Sequence, residues 1–323
     1  MNSFEFVGTI PNRDGLVKTN ENGKQLRFCI KQNEKNHAYV QLFGEKQFCS
    51  KFNVFLRDGK RIDVSYDDRW NGDILRNVSY FSKYMLEGKN YISKNEFIED
   101  SEDFIKNSPL TSIFVVKGDF YLSKVNEKTY YNFLIKSIKI DNSARPDLKL
   151  YLDLYYDWQS LDESNKRNEF ILNSFIEQYD YSEKKRKLFP LKTEFITNRF
   201  DFKNPTHIDI IRHRKANMKP SKEDGMVKAK WEAQYIKGAQ LFMPSLESLP
   251  KDIQFEIKNA GRDLREYMSR VVGEAEEHIC LTRPNNTLNK DGKVYLPVEN
   301  QRKENGNSID NLVKKEAYEN PFN

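Results

Sequence analysis

The chain has 323 residues, 53 Lys and Arg against 48 Asp and Glu for a formal net charge of +5, and 13% aromatic residues, 17 of them Tyr and 22 Phe. That length accommodates about two structural units, and so small a net charge excludes a polycation acting over its whole surface, so an anionic partner must be met by a local patch. Three cysteines without C-x-x-C spacing, Cys29, Cys49 and Cys280, exclude a disulfide framework or zinc knuckle and fit a reducing, cytoplasmic setting, and no window approaches the ~20 apolar residues of a membrane span.

Residues 4–10 are β-rich and end at Pro11 and the Asp14-Gly15 turn. Residues 24–31 alternate Leu26, Phe28 and Ile30 on one face with Gln25, Arg27, Cys29 and Lys31 on the other, and 38–43 set Val40 and Leu42 against Tyr39, Gln41 and Phe43. A polar insertion follows, with strand-like segments at 53–56 and 61–65 and helices predicted over 73–85 and 94–106. Two long β-branched and aromatic runs, 112–125 and 129–140, are joined by Asn126-Glu127-Lys128, a hairpin-length connection. Three strands, an insertion with a helix, then a closing hairpin is the order of a five-stranded OB barrel, a fold whose sheet face and loops bind oligonucleotides.

Beyond Asp141, alternation of Leu150, Leu152 and Leu154 with Tyr151, Asp153 and Tyr155 predicts a half-buried strand over 148–156. Ile171, Phe175 and Tyr179 recur every fourth residue and are read as a helix over 170–181, whereas 188–202 is read as extended. Pro250 and the stripe Ile253, Ile257, Ala260, Leu264 and Met268 predict a helix over 248–268. Residues 285–323 are Asn-, Lys- and Glu-rich without periodicity and are expected to form a flexible tail. The fold class is therefore a β-rich α+β chain: an OB-like β-barrel with helical insertions (1–141), a basic and aromatic α/β extension packed on or completing the barrel (142–283), and a tail (284–323).

Charge is uneven along the chain. Residues 184–230 hold 14 basic and 5 acidic side chains, opening with Lys184, Lys185, Arg186 and Lys187, continuing through Lys192, Arg199 and Lys203, and closing around Arg212, Arg214 and Lys215. Phe189, Phe195, Phe200 and Phe202 are interleaved with them. Cations that hold phosphates and rings on which bases stack are the two ingredients of proteins that track a single strand. The same pairing exists on the barrel strands, so the candidate nucleic-acid-binding residues also include Arg27, Lys31, Tyr39, Phe43, Lys117, Tyr131, Phe133 and Lys136.

Enzyme signatures are missing. No phosphate loop, dinucleotide fingerprint or H-E-x-x-H occurs, and His37, His207, His213 and His278 are scattered, so neither a catalytic residue, a metal ligand nor a cofactor is assigned. The rival enzymatic reading is a metal-dependent nuclease built from Pro146-Asp147 and Glu183-Lys184-Lys185, which requires those carboxylates to converge on one metal.

The opening strand Phe6-Val7-Gly8-Thr9-Ile10, the hairpin holding Lys117-Gly118-Asp119-Phe120 and Tyr131-Asn132-Phe133, and the later runs 231–239 and Leu246-Glu247-Ser248-Leu249-Pro250 resemble single-stranded DNA-binding proteins encoded by tailed phages of low-GC Gram-positive bacteria. The resemblance spans roughly residues 1–283. It implies an OB-type core that coats transient single strands during phage replication or recombination, without cofactor or strong sequence preference. The end of the chain, from Glu316 through Pro321-Phe322-Asn323, looks like a weakened form of the acidic, Pro-Phe-ended tip that recruits replication partners, diluted here by Lys314 and Lys315. A phage structural or host-interaction protein is the remaining alternative.

Overall fold

Alternation at the N-terminus becomes a closed ring of five strands. The computed structural model describes residues 2–20, 23–33, 36–46, 50–125, 128–162, 169–180, 183–196, 219–237, 241–242, 251–260, 269–270, 277–284 and 295–297, and positions 205, 206, 209, 212 and 216. The first 141 residues contribute β1 (Ser3–Gly8), β2 (Val17–Asn20), β3 (Gly23–Lys31), β4 (His37–Phe43), β5 (Lys51–Phe55), β6 (Arg61–Ser65), α1 (Gly72–Asn77), β7 (Tyr84–Leu86), β8 (Lys89–Tyr91), α2 (Lys94–Asn107), β9 (Phe114–Val125) and β10 (Lys128–Ile140).

β1 pairs with β9, β9 with β10, β10 with β4 and β4 with β3, and a bridge between Thr9 and Lys31 returns from β3 to β1. Every pairing is antiparallel except β4 with β10, which run parallel at Gln41 and Leu134. Numbering these five strands along the chain, the order around the ring is 1-2-3-5-4, that of an OB barrel. Leu26, Phe28, Ile30, Val40 and Leu42 point inward as their alternation requires. Glycine sits where the closure is tightest: a Cβ at Gly8 would strike the Lys31 carbonyl, and one at Gly118 the Leu134 carbonyl and the Phe4 ring.

α2 plugs one end of this barrel with Phe97, Ile98 and Ile105. Its start is held by the Ser93 cap and by both Glu45 carboxylate oxygens, which accept from the Lys94 and Asn95 amides at 2.7 and 2.8 Å. Beyond its end, the buried guanidinium of Arg13 donates to the carbonyls of Ile105, Ser108 and Pro109. The helix predicted over 73–85 is broken instead. α1 stops at Asn77, Val78 is extended, and β7 pairs with β10 at Ser137 and Ile138, so tertiary pairing overrides local periodicity. The β5–β6 hairpin encloses a small core of its own, Phe52, Val54, Val64, Val78 and Ile92.

The second half supplies β11 (Asp147–Tyr156), β12 (Leu161–Asp162), β13 (Glu169–Asp180), β14 (Lys185–Ile196), β15 (Val227–Lys237), β16 (Leu241–Phe242), α3 (Lys251–Ala260), β17 (Ser269–Arg270), β18 (Glu277–Pro284) and β19 (Tyr295–Pro297). Here β11 pairs with β13, β13 with β14, β14 with β18, β18 with β15 and β15 with β11, and only β14 with β18 is parallel. This is again 1-2-3-5-4. The extension expected to pack on or complete the first barrel therefore closes into a ring of its own. The described positions between 205 and 216 are helical and stand between its third and fourth strands, where α2 stands in the first barrel.

Residues 170–181, read as a helix, are instead the strand β13, paired with β14 along its whole length. A spacing of four is a multiple of two as well as close to a helical turn, so the pattern of Ile171, Phe175 and Tyr179 fits either element. α3 occupies part of the helix predicted over 248–268, whose remaining residues lie outside the described ones. Most of 285–323 also lies outside them, but 295–297 form β19 against β15 rather than tail.

β1 pairs with β11 from Ser3–Tyr151 to Val7–Asp147, so one sheet runs from barrel to barrel, and a single apolar cluster fills both. Tyr235 of the second barrel packs against Phe6, Phe133 and Tyr131 of the first, with centroids 6.1, 4.9 and 6.2 Å away. Two side-chain amides imitate strand pairing across the junction. Gln178 accepts from the Leu122 amide at 2.9 Å and donates to its carbonyl at 2.8 Å. Asn36 accepts from the Lys237 amide at 2.9 Å and donates to the Tyr235 carbonyl at 3.1 Å.

Candidate nucleic-acid interface

A cleft of about 770 Å³ opens where the barrels meet. One wall is the outer face of β3, β4 and β10, carrying Arg27, Tyr39, Gln41, Tyr130 and Asn132; the other is built from β14, β15 and β18, carrying Lys192, Glu194, Lys237, Glu277 and His278. The first wall includes the outer face of the second and third OB strands, the surface on which OB folds in general receive oligonucleotides.

Tyr39 is 45% exposed and Tyr130 43%, large exposures for rings on a barrel. Cations from both sides converge on Tyr39: the Arg27 guanidinium lies 5.2 Å and the Lys237 ammonium 5.5 Å from its centroid, while Lys128 lies 5.8 Å from Tyr130. Such distances are cation–π contacts. Between the rings runs a row of amides, with Gln25 donating to Gln41 at 3.1 Å, Gln41 to Asn132 at 3.4 Å and Asn132 to Ser123 at 2.8 Å.

The wall of the second barrel is mixed in charge. Lys237 pairs with Glu277, and His278 Nδ1 lies 3.1 Å from Glu194. At the cleft floor, burial and then the Glu277 and Glu194 carboxylates push the Tyr131 phenol up to about 12, so it stays neutral and can still donate. His37, edge-on to Tyr39 at 5.6 Å, is held below the usual imidazole range by burial and by Lys237 and Lys31 nearby. The imidazole beside Tyr39 is thereby biased toward its neutral form.

The residues singled out from sequence divide into those at the cleft and those elsewhere. Arg27, Tyr39, Tyr131 and Lys192 line it, and so does Phe133, but at 2% exposure that ring is packed between Phe6, Phe120 and Tyr235 and offers no face to a base. Odd positions of β10 turn into the barrel, so the ring available for stacking is the neighbouring Tyr130. Phe43 is exposed farther along β4.

Lys136 is also withdrawn from solvent, its side chain 10% exposed. Its ammonium lies 4.5 Å from the Tyr84 ring, 4.0 Å from Asp119 and against the Phe81 carbonyl, and burial pulls its pKa down to about 8. Its ammonium is engaged by contacts within the protein. Lys31 ends β3 at the barrel closure, and Lys117 is paired with Glu5 at 2.5 Å.

The basic run 184–187 forms the tip of the β13–β14 hairpin, where acids answer it: Lys185 meets Glu183 at 2.7 Å, Arg186 meets Glu177 at 3.1 Å, and Lys187 meets Asp180 and Glu183. Lys184 takes a positive φ of 54° in the turn. Arg212 pairs with Asp209 at 2.9 Å and borders a separate recess beside Trp158, Lys219 and Lys222. Arg199, Arg214, Lys215 and the terminal segment 316–323 lie outside the described residues.

Sequence reasoning missed Tyr130, Lys128, Gln41, Asn132 and Lys237. The β10 alternation already put Tyr130 and Asn132 on the face opposite Phe133; nothing local marked Lys237, which reaches the cleft only because the second barrel docks there. Among the described residues, no three His, Cys, Asp or Glu side chains gather as metal ligands. The nuclease pair is separated by partners: Asp147 accepts from Gln234 at 3.1 Å near Lys149, whereas Glu183 stands at the hairpin tip with Lys185 and Lys187. No described helix is long and apolar enough to cross a membrane.

No family model matches the chain, and no curated protein matches it by sequence. Among solved structures it is similar to the wild-type single-stranded DNA binding protein from Thermus aquaticus, at 7% identity and a TM-score of 0.33, over 73% of this chain and 85% of that one. At that level of likeness the fold assignment rests on the strand order itself: this is a β-rich chain built on a closed five-stranded OB barrel, with the same ring order repeated in its second half.

Proposed function

We propose that the protein binds single-stranded DNA in the cleft between the two barrels, without strong sequence preference. The observation that carries this reading is the convergence of Arg27 and Lys237, one from each barrel, on the exposed ring of Tyr39, beside Tyr130 with Lys128. Rings accept any base face, and cations take the phosphates between bases. A duplex hides its base faces in the stack, so the same cleft discriminates against it. Coating transient strands during phage replication or recombination is the role that the family resemblance adds.

The test is fluorescence anisotropy of a labelled oligonucleotide titrated with the full chain, as single strand, duplex and RNA of the same sequence, at two salt concentrations. Single strands should bind best, with log K falling against log salt by about 0.7 for each phosphate neutralised. Equal affinity for duplex, or no binding at low salt, would overturn the reading. Loss of strand integrity on adding Mg²⁺ would favour a nuclease instead.

A further inference from the structure

Resting on that reading, we propose that the insertion at residues 51–83 is a second platform for the same oligonucleotide, extending its track out of the cleft and along the outer face of β4. Three large rings stand in the open on this insertion, Phe55 at 47% exposure, Tyr80 at 63% and Phe81 at 56%. They are not spare core residues. The hairpin fills its own interior with Phe52, Val54 and Val64, Phe55 lies on its other face, and Tyr80 and Phe81, in the turn after α1, take no part in that core.

The backbones that carry them are fixed: Ser79 donates its amide to the Phe55 carbonyl at 2.7 Å, and the Phe55 amide donates to the Ser82 hydroxyl at 2.9 Å. Cations are interleaved with them. Arg61 is directly opposite Phe55 in the β5–β6 register, hence on the same face, Arg57 follows two residues after Phe55, and Arg76 and Lys83 bracket the Tyr80–Phe81 turn. Among the described residues none of these four cations has an acidic partner, in contrast to the 185–187 run. A ring with an unneutralised guanidinium opposite it suits a ligand that has both flat bases and phosphates.

Continuity with the cleft comes through Lys136. Leu134 of β10 pairs with Gln41 of β4, and two residues farther along β10 the Lys136 ammonium donates to the Phe81 carbonyl, which ties the insertion to a strand that borders the cleft. On this proposal an oligonucleotide leaving Tyr39 follows the outer face of β4 toward Phe43 and is taken up by the rings of the insertion.

The experiment compares the full chain with a Phe55→Ala, Tyr80→Ala, Phe81→Ala variant on single strands of about 6 and about 20 nucleotides, the short one matched to a single OB site. The variant should bind the short strand within about twofold of the unmodified protein and lose about tenfold or more on the long one, at the energy of a stacked base or more. Arg57→Glu with Arg61→Glu, at exposed positions that cost no core, should reproduce the length-dependent loss. Equal effects on both lengths, or none on either, would overturn the proposal while leaving the cleft intact. So would concentration-dependent self-association of the unmodified protein that the variant abolishes, which would make the rings a contact between copies. Failure of the unmodified protein to bind either length would defeat the cleft reading and this one together.

Discussion

Replacing Tyr39 by Ala tests whether the ring, rather than the charge around it, holds the base. Tyr39 is nearly half exposed and sits between Arg27 at 5.2 Å and Lys237 at 5.5 Å, so its removal should cost little stability but should remove the ring on which cations of both barrels converge. A stacked base is worth about 1–3 kcal/mol, so affinity should fall about 5- to 150-fold. Arg27 and Lys237 remain, so the phosphate contacts proposed for them should be unaffected. Plots of log K against log salt for Tyr39→Ala and the unmodified protein should therefore run parallel, displaced by the same factor at every salt concentration. Tyr39→Phe retains the ring and should bind like the unmodified chain. Anisotropy titrations with urea melts as the stability control measure all of this. An Ala variant within twofold of the original, or a Phe variant as impaired as the Ala one, would refute base stacking at this position.

Lys192→Ala and Lys128→Ala should each lower the salt slope by about 0.7, whereas Arg186→Ala should leave it nearly unchanged because that guanidinium is engaged by Glu177. Asn36→Ala and Gln178→Ala each remove two hydrogen bonds across the barrel junction and should each cost about 1–3 kcal/mol in urea unfolding. Lys136 gives a pH signature. Unfolded, its amine keeps its proton up to about pH 10.5, and folded only up to about 8, so between those values the unfolded state binds more protons and stability rises with pH, by on the order of 3 kcal/mol. The penalty is fully present below pH 8. Lys136→Met should flatten that rise in urea unfolding measured on either side of the window, and an unchanged rise would show that another group titrates there.

The first barrel was legible because each of its strands buries one face, so Leu26, Phe28, Ile30, Val40 and Leu42 announce both strand and core side at once. β10 was legible as a strand but not in orientation. It has rings on both faces, Tyr130 and Tyr131-Phe133, and only the packing of Phe133 against Tyr235 decides which face is interior. The second barrel was hidden by β13, whose spacing of four suits two periods, and by its closing partner β18, which comes 39 residues after β15. The basic run 184–187 was plain in sequence and misleading as a site, because the acids that answer it, Glu177 and Asp180, come from the facing strand. The cations of the insertion drew no attention, since a count of charges cannot distinguish paired from unpaired ones.

Two rings of the same strand order do not meet here as mirror partners. One presents the outer face of its second and third strands with the start of its fifth, the other its third strand with the far end of its fourth and the start of its fifth. A symmetric junction would treat the two orientations of a ligand alike. These unlike walls do not, so an oligonucleotide bound as proposed would find its 5′-to-3′ and 3′-to-5′ directions inequivalent, and a single chain would suffice to impose a polarity on it.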